Sequence, residues 1–394
     1  MPGRVLMVAY HFPPSGAVAA QRAHKFARYL PDFGWEPVVV ARRPDPMQPR
    51  DESFAGRPAP AVELDPFEPS RAIGLLPGGA FLKRFFFLPD EHSGWRRLLR
   101  AALPGLIERH RPDVLWANSV PTGSLVAAAA AAGRAGLPLV LDFHNEWTRN
   151  IYYRPPTRRH DAAQRRLERE SIEAARAVVT LNPLHTEDLA ARFPGLRCET
   201  LENGFDAEDY AVDLPLPGRS PRVFTYAGAI YGHQGPEPFL RALASTGLRD
   251  VEVRVVGDRF GQYTPGAWPF PVMARGHVPH VELGRVFSES SALFLCLGTP
   301  AARQLPAKLY EYLRAGRPTF AIVPRGGAVE SWLASTGSGV STPVEEPARW
   351  GPALKEFIGT IDHYRAPARG EYHRRALTGR LAAILDSVSA RAPS

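Results

Sequence analysis

Apolar, β-branched runs alternate along this chain with stretches whose apolar positions recur every three or four residues, and the alternation occurs in two series. In the first series the runs fall at 4–9 (within "RVLMVAY"), 37–41 ("PVVVA"), 113–117 ("DVLWA"), 138–143 ("PLVLDF") and 177–181 ("AVVTL"). Helical patterns near 18–30, 95–110, 121–135, 160–175 and 184–192 separate them. The polar, turn-rich stretch "ENGFDAEDYAVDLPLPGRSP" follows, and 206–221 reads as a linker. The second series has strands at 222–228, 251–257, 272–278, 291–298, 319–324 and 339–343, with helices near 236–246, 281–289, 306–315, 326–335 and 347–359. One more amphipathic helix, 371–389, ends the pattern. Strands alternating with helices predict a parallel sheet covered on both faces. The expected fold class is therefore α/β, with two Rossmann-like domains, 1–205 and 222–370, in tandem and a cleft between them. Residues 43–90 are proline-rich and read as irregular.

Composition narrows the classes. A chain of 394 residues with 44% hydrophobic content has enough apolar material for two cores. The net charge of +8, nearly all from arginine, suits an acidic ligand, an anionic membrane face or nucleic acid. Nucleic acid is disfavoured, because no basic run of five and no RNP-type aromatic strand occurs. The two cysteines, Cys198 and Cys296, lie far apart in core-like segments and read as buried thiols, not as a disulfide framework or zinc site. The N-terminus enters a strand directly, with no signal peptide pattern. The most apolar stretch, "GSLVAAAAAAGRAGLPLVLDF", is broken by Arg134 and glycines and reads as helix plus strand. A cytoplasmic location is expected, with contact to the inner membrane face left open.

The candidate chemistry sits at strand ends. "HFPPSGAVAAQRAHKFARYL" turns from strand to helix around a single glycine, Gly16, and not a G-x-G-x-x-G. Arg22 lies about a turn into that helix, placed either to reach a phosphate or to face solvent. In "RQLPAKLYEYLRAGRP", Lys308 and Glu311 are three apart on one helical face. A surface ion pair would also explain that spacing. His144 follows the strand in "LDFHNEW" and points beyond its carboxyl end, with Asn145 and Glu146 beside it and Asn118 ending "DVLWAN". An imidazole there can position a hydroxyl or take its proton; it can equally hold the next loop. Gly228, in "YAGAIY", allows close backbone approach or simply a tight turn.

Together these segments, with "LNPL", "NGFD", "GHVPHVELGRVFSESSALFLCL" and "LPAKLYEYLRAGRPTFAIV", resemble the GT-B glycosyltransferases, specifically the retaining family-four type that uses nucleotide-sugars. The resemblance spans nearly the whole chain. It implies a donor held by the C-terminal domain, an acceptor by the N-terminal one, and residues 371–394 returning to the first domain. By resemblance, Glu311 accepts hydrogen bonds from the ribose hydroxyls, and Lys308 adds positive charge near the diphosphate. Gly16 and Gly228 approach the donor through backbone, Val278 holds the base through its main chain, and Gln234, Arg303, Leu305 and Leu309 line the donor site. His144 belongs to the reacting centre, and Asn118, Asn145 and Glu146 to the acceptor side. A UDP-sugar is the expected donor. The acceptor would be a surface glycan, a lipid-linked glycan or a small natural product. No cofactor and no metal are expected: there is no Asp-x-Asp of a metal-dependent GT-A enzyme. No P-loop and no G-x-S-x-G are present either.

Two positions depart from the family pattern. The Glu commonly found eight residues before Glu311 is Arg303 here, and the basic pair after "YAG" is replaced by Ala229 and, roughly, Gln234. The second departure keeps a non-catalytic GT-B partner subunit in play, beside a GT-B epimerase. "FLKRFFFLPDEHSGW" sets bulky apolar residues beside Lys83 and Arg84, which suits a membrane-edge or lipid-linked acceptor contact; packing into the core under a loop is the expectation that competes with it.

Overall fold

The computed structural model describes residues 2–15, 17–44, 61–206, 220–230, 232–257, 266–276, 278 and 280–389. Gly16, most of the expected linker (207–219) and residues 45–60 lie outside this set. The chain divides into unit 1, Met1–Glu202 with Arg374–Ser394, and unit 2, Asn203–His373.

Unit 1 is built on seven strands: β1 (Gly3–Val8), β2 (Trp35–Arg42), β3 (Val62–Leu64), β4 (Val114–Asn118), β5 (Leu139–Phe143), β6 (Ala177–Thr180) and β7 (Cys198–Thr200). All neighbours pair in parallel, in the order β3-β2-β1-β4-β5-β6-β7. The order therefore reverses direction between β1 and β4, the place where open α/β sheets bind ligands. Val5 to Val8 have no exposed surface, because both faces of β1 are covered. That is why the strand reads as a continuous apolar run and not as an alternating one. One face carries Leu6, Val8, Leu115 and Leu141 against helices α4 (Ser93–His110) and α5 (Gly123–Ala135). The other carries Val5, Met7, Trp116 and Val140 against α1 (Val18–Tyr29) and the C-terminal helix α13 (Arg374–Val388). From α13, Leu377, Leu381, Ile384 and Leu385 enter this core, and Asp386 accepts a 3.0 Å hydrogen bond from the Trp35 indole. Capping residues set two further helices. Thr157 caps α6 (Arg158–Glu173), and Asn182, followed by Pro183, caps α7 (Pro183–Arg192).

Unit 2 has six parallel strands: β8 (Arg222–Ala227), β9 (Val251–Val256), β10 (Val272–Arg275), β11 (Ala292–Cys296), β12 (Thr319–Val323) and β13 (Gly339–Pro343). Their order is β10-β9-β8-β11-β12-β13, with the reversal between β8 and β11. An aromatic core holds it, with Phe239 of α8 (Glu237–Ser245) stacked 3.8 Å from Phe294. Helices α9 (His280–Ser288), α10 (Lys308–Arg314), α11 (Ala328–Thr336) and α12 (Pro347–Thr360) complete it.

Three expectations need correction. The stretch 61–90 is not irregular: it holds β3 and two short helices, α2 (Ser70–Gly74) and α3 (Gly79–Phe86). The phenylalanines of α3 are not packed under a loop, since Phe81, Phe85 and Phe86 are exposed. Cys198 is only half-buried, because β7 is a three-residue edge strand; Cys296 is fully buried.

Candidate functional site

In unit 2, the turn after β8 lies where the sheet order reverses. Gly228 adopts φ +122°, a conformation that side chains disfavour, and donates its N–H to Val256 O at 2.8 Å. Gly257, after β9, packs on it: a Cβ there would meet Gly228 N at 3.4 Å. Two donors hold the Ala229 carbonyl, the Tyr226 hydroxyl and the Gln234 amide, each at 2.9 Å. The Gln234 nitrogen is therefore committed to fixing the turn. Below it, the buried Tyr312 hydroxyl accepts from Ala227 N at 2.9 Å and ties α10 to the end of β8.

One turn before Tyr312, Lys308 extends along the bare face of Gly228. A Cβ on Gly228 would lie 2.7 Å from Lys308 Nζ and 2.8 Å from its Cε. The ammonium sits 4.0 Å from the centroid of the Tyr226 ring. It is enclosed and has no hydrogen-bond partner, and no carboxylate pairs with it, among the described residues. The surface i,i+3 pair with Glu311 that the spacing also allowed is not formed: Lys308 points at the glycine turn. Burial holds its pKa down at about 7. Such a group is short of one negative charge.

Glu311 lies three residues on, half-buried on the same short helix. Leu309 is fully buried and Leu305 and Val278 nearly so, which leaves only their backbones to meet a ligand. Arg303 is half-buried in the loop before α10.

In unit 1, the ends of β1, β4 and β5 gather a second polar group. His144 donates its backbone N–H to Ser119 Oγ at 2.8 Å, and its Nε2 is enclosed without a partner among the described residues. Burial first, then the charges of Arg22 and His11, pull its pKa down to about 3. The ring is thus neutral near pH 7 and a weak base, suited to hydrogen bonding more than to proton abstraction. Asn118 is buried; its Oδ1 accepts from Val120 N at 2.9 Å while Nδ2 has no partner among the described residues. Asn145 is exposed and Glu146 half-buried. The loop they share is anchored on α6: Trp147 Nε1 donates to Gln164 at 2.8 Å, and Thr148 Oγ1 to the buried Glu168 at 2.7 Å.

Arg22 neither reaches out for a phosphate nor faces solvent. It is buried, 2.9 Å from Asp142, and donates to the carbonyls of Glu202 and Leu201 at 2.7 and 2.9 Å. His11, three residues beyond β1, was not singled out from sequence; burial, with His92 and Arg42, lowers its pKa to about 4. Its place just after the first strand was the available signal.

The fold is that of the GT-B glycosyltransferases. The chain is similar to HepE of Anabaena, solved with UDP and glucose, at 14% identity and TM-score 0.64 over 98% of this chain and all of that one. It is similar to the apo lipopolysaccharide outer core galactosyltransferase WaaB, at 14% identity and TM-score 0.62 over 98% and 99%. Sucrose-phosphate synthase of Thermosynechococcus elongatus matches at 12% identity and TM-score 0.61 over 98% and 95%. Residues 19–204 match the sequence model of the glycosyl transferase 4-like domain, which supports the resemblance to the family-four type. No curated protein matches the chain by sequence. The domain match and the fold together support a transferase.

Proposed function

We propose that the chain is a glycosyltransferase that moves a sugar from a UDP-sugar to a hydroxyl acceptor, with retention and without a metal ion. The observation that carries this reading is the buried Lys308 ammonium, unpaired among the described residues, lying on Gly228 at the reversal of unit 2's sheet. A diphosphate supplies the missing negative charge and restores the lysine's protonation. In transfer, the acceptor hydroxyl oxygen bonds to the anomeric carbon as the bond to the diphosphate breaks, its proton passes to the departing diphosphate, and Lys308 stabilises the charge that develops there. Glu311 takes the ribose diol, for which a carboxylate offers two acceptors. His144 and Asn118 position the acceptor through their unpartnered nitrogens. The acceptor class is a lipid-linked or surface glycan, or a natural product. The neighbour solved with UDP and glucose is consistent with this choice of donor.

A second reading, a donor-binding subunit without turnover, is favoured by Ala229 and Gln234 standing where family members carry a basic pair. Thermal shift with UDP, GDP, dTDP, ADP and CMP, on wild type and Glu311→Ala, tests the donor site. One nucleotide should stabilise the wild type, by about 2.7 kcal/mol at a hundredfold excess over its Kd, and lose that effect in the variant. No stabilisation by any of them would refute the proposal. Stabilisation with no sugar transfer from the matching donor would favour the subunit reading.

A further inference from the structure

Six of the ten large apolar side chains that stand exposed among the described residues fall within 67–86: Phe67, Leu75, Leu76, Phe81, Phe85 and Phe86. Phe67 and Leu75 are 83% and 87% exposed, so the described residues leave them almost bare. The group is organised. Phe81 and Phe85, one turn apart on α3, stack with centroids 6.0 Å apart, and Phe86 meets Phe85 edge-on at 5.3 Å. An apolar patch concentrated in this way marks a surface with a partner.

The charge around the patch identifies the partner. Residues 66–100 contain six basic side chains and three acidic ones. Two of the three carboxylates are spent inside the fold. Glu68 accepts from Gly94 N and Trp95 N, and Asp90 from His92 N, Gly123 N and Thr122. Two grooves border the segment. One, of about 680 Å³, runs beside Phe67 and is lined by Arg96, Arg97 and Arg100. The other, of about 700 Å³, is lined by Lys83, Arg84 and Arg154; Glu91 pairs with Lys83 at 2.6 Å, so Arg84 and Arg154 carry its positive charge. Aromatic side chains standing out between cationic grooves match an anionic bilayer, with rings at the acyl boundary and phosphates in the grooves. A second copy of the chain is a poor occupant, because a two-fold contact would set the same basic rim against itself. No described helix is long and apolar enough to cross a membrane, so the contact would be to one face.

We propose that α2, α3 and the turn joining them dock unit 1 onto an anionic phospholipid surface. This inference stands on unit 1 alone and does not depend on the donor reading. Co-sedimentation with vesicles of phosphatidylcholine, with and without phosphatidylglycerol, tests it. The wild type should sediment with the anionic vesicles, stay in solution with the neutral ones, and be released by high salt. Leu75→Asp with Phe86→Asp should weaken binding at least tenfold, while Met273→Asp, a change at an exposed apolar residue of unit 2, should not. The substituted positions are exposed, and an unchanged melting temperature would establish that the double variant is folded. Failure of the wild type to bind anionic vesicles would overturn the proposal. So would equal binding by the double variant. A wild-type dimer in solution that the double variant dissolves would assign the patch to a second copy instead.

Discussion

Replacing Lys308 by Met should make the protein more stable and less able to bind its ligand. Met keeps the length and apolar stem of the side chain and removes only the charge. The folded-state pKa is about 7, against 10.5 for the unperturbed group. Between those values the unfolded chain holds a proton that the folded chain lacks, so the wild type gains stability as pH rises through this window. Below pH 7 both states are protonated and the full penalty of the enclosed ammonium is present. A displacement of this size corresponds to at most about 5 kcal/mol, since each pKa unit is worth about 1.4 kcal/mol. Urea denaturation of both proteins from pH 6 to pH 10 reads it. Lys308→Met should unfold at higher urea at pH 6, by up to that amount, and the difference should shrink steadily toward pH 10. Equal or lower stability of the variant at pH 6 would show that the ammonium already has a counter-ion in the free protein, and the reasoning would fail.

Other predictions follow the same geometry. Arg22→Leu should destabilise unit 1 by about 3–5 kcal/mol, because Asp142 is left buried without its partner, which denaturant midpoints would register. Gly228→Ala should cost about 1–3 kcal/mol for its φ alone and, by displacing Lys308, lower nucleotide affinity at least tenfold in a titration. His144 has an unfolded pKa of 6.5 and a folded one near 3, so its contribution to stability is lost as pH falls through that window. His144→Gln should therefore remove about 2 kcal/mol of the stability loss between pH 7 and pH 5, measured by denaturation at both.

How much of this was legible in the sequence depended on where the physics lay. Strands β1, β4, β5, β8, β11 and β12 were readable because covering both faces of a sheet demands continuous apolar runs. β3 and β7, three residues each at the sheet edge, carry too short a pattern to register. α2 and α3 were missed because Pro69 and Pro77 flank them, and because their glycines and the outward-facing phenylalanines of α3 do not follow the pattern of a core-facing helix. Lys308 and Glu311 were found together, since one helix sets their spacing. That Lys308 lies on the glycine turn, without a counter-ion among the described residues, was hidden, because it depends on a glycine 80 positions away that has no Cβ to block it. Arg22 was misread for a similar reason: its carboxylate partner lies 120 residues along the chain. The low basicity of His144 was equally out of reach, since it comes from enclosure and from charges brought close only by folding.

On the proposed reading, Lys308 is the cation that meets the donor diphosphate. Calorimetric titration of the nucleoside diphosphate chosen by the thermal panel, at pH 7 and pH 9, on wild type and Lys308→Met, tests it most directly. With a free-protein pKa of about 7 and a higher one in the complex, wild-type affinity should fall by about 50-fold between the two pH values. The variant should bind weakly and equally at both. Wild-type affinity that does not change with pH, or tight binding by Lys308→Met, would contradict the claim.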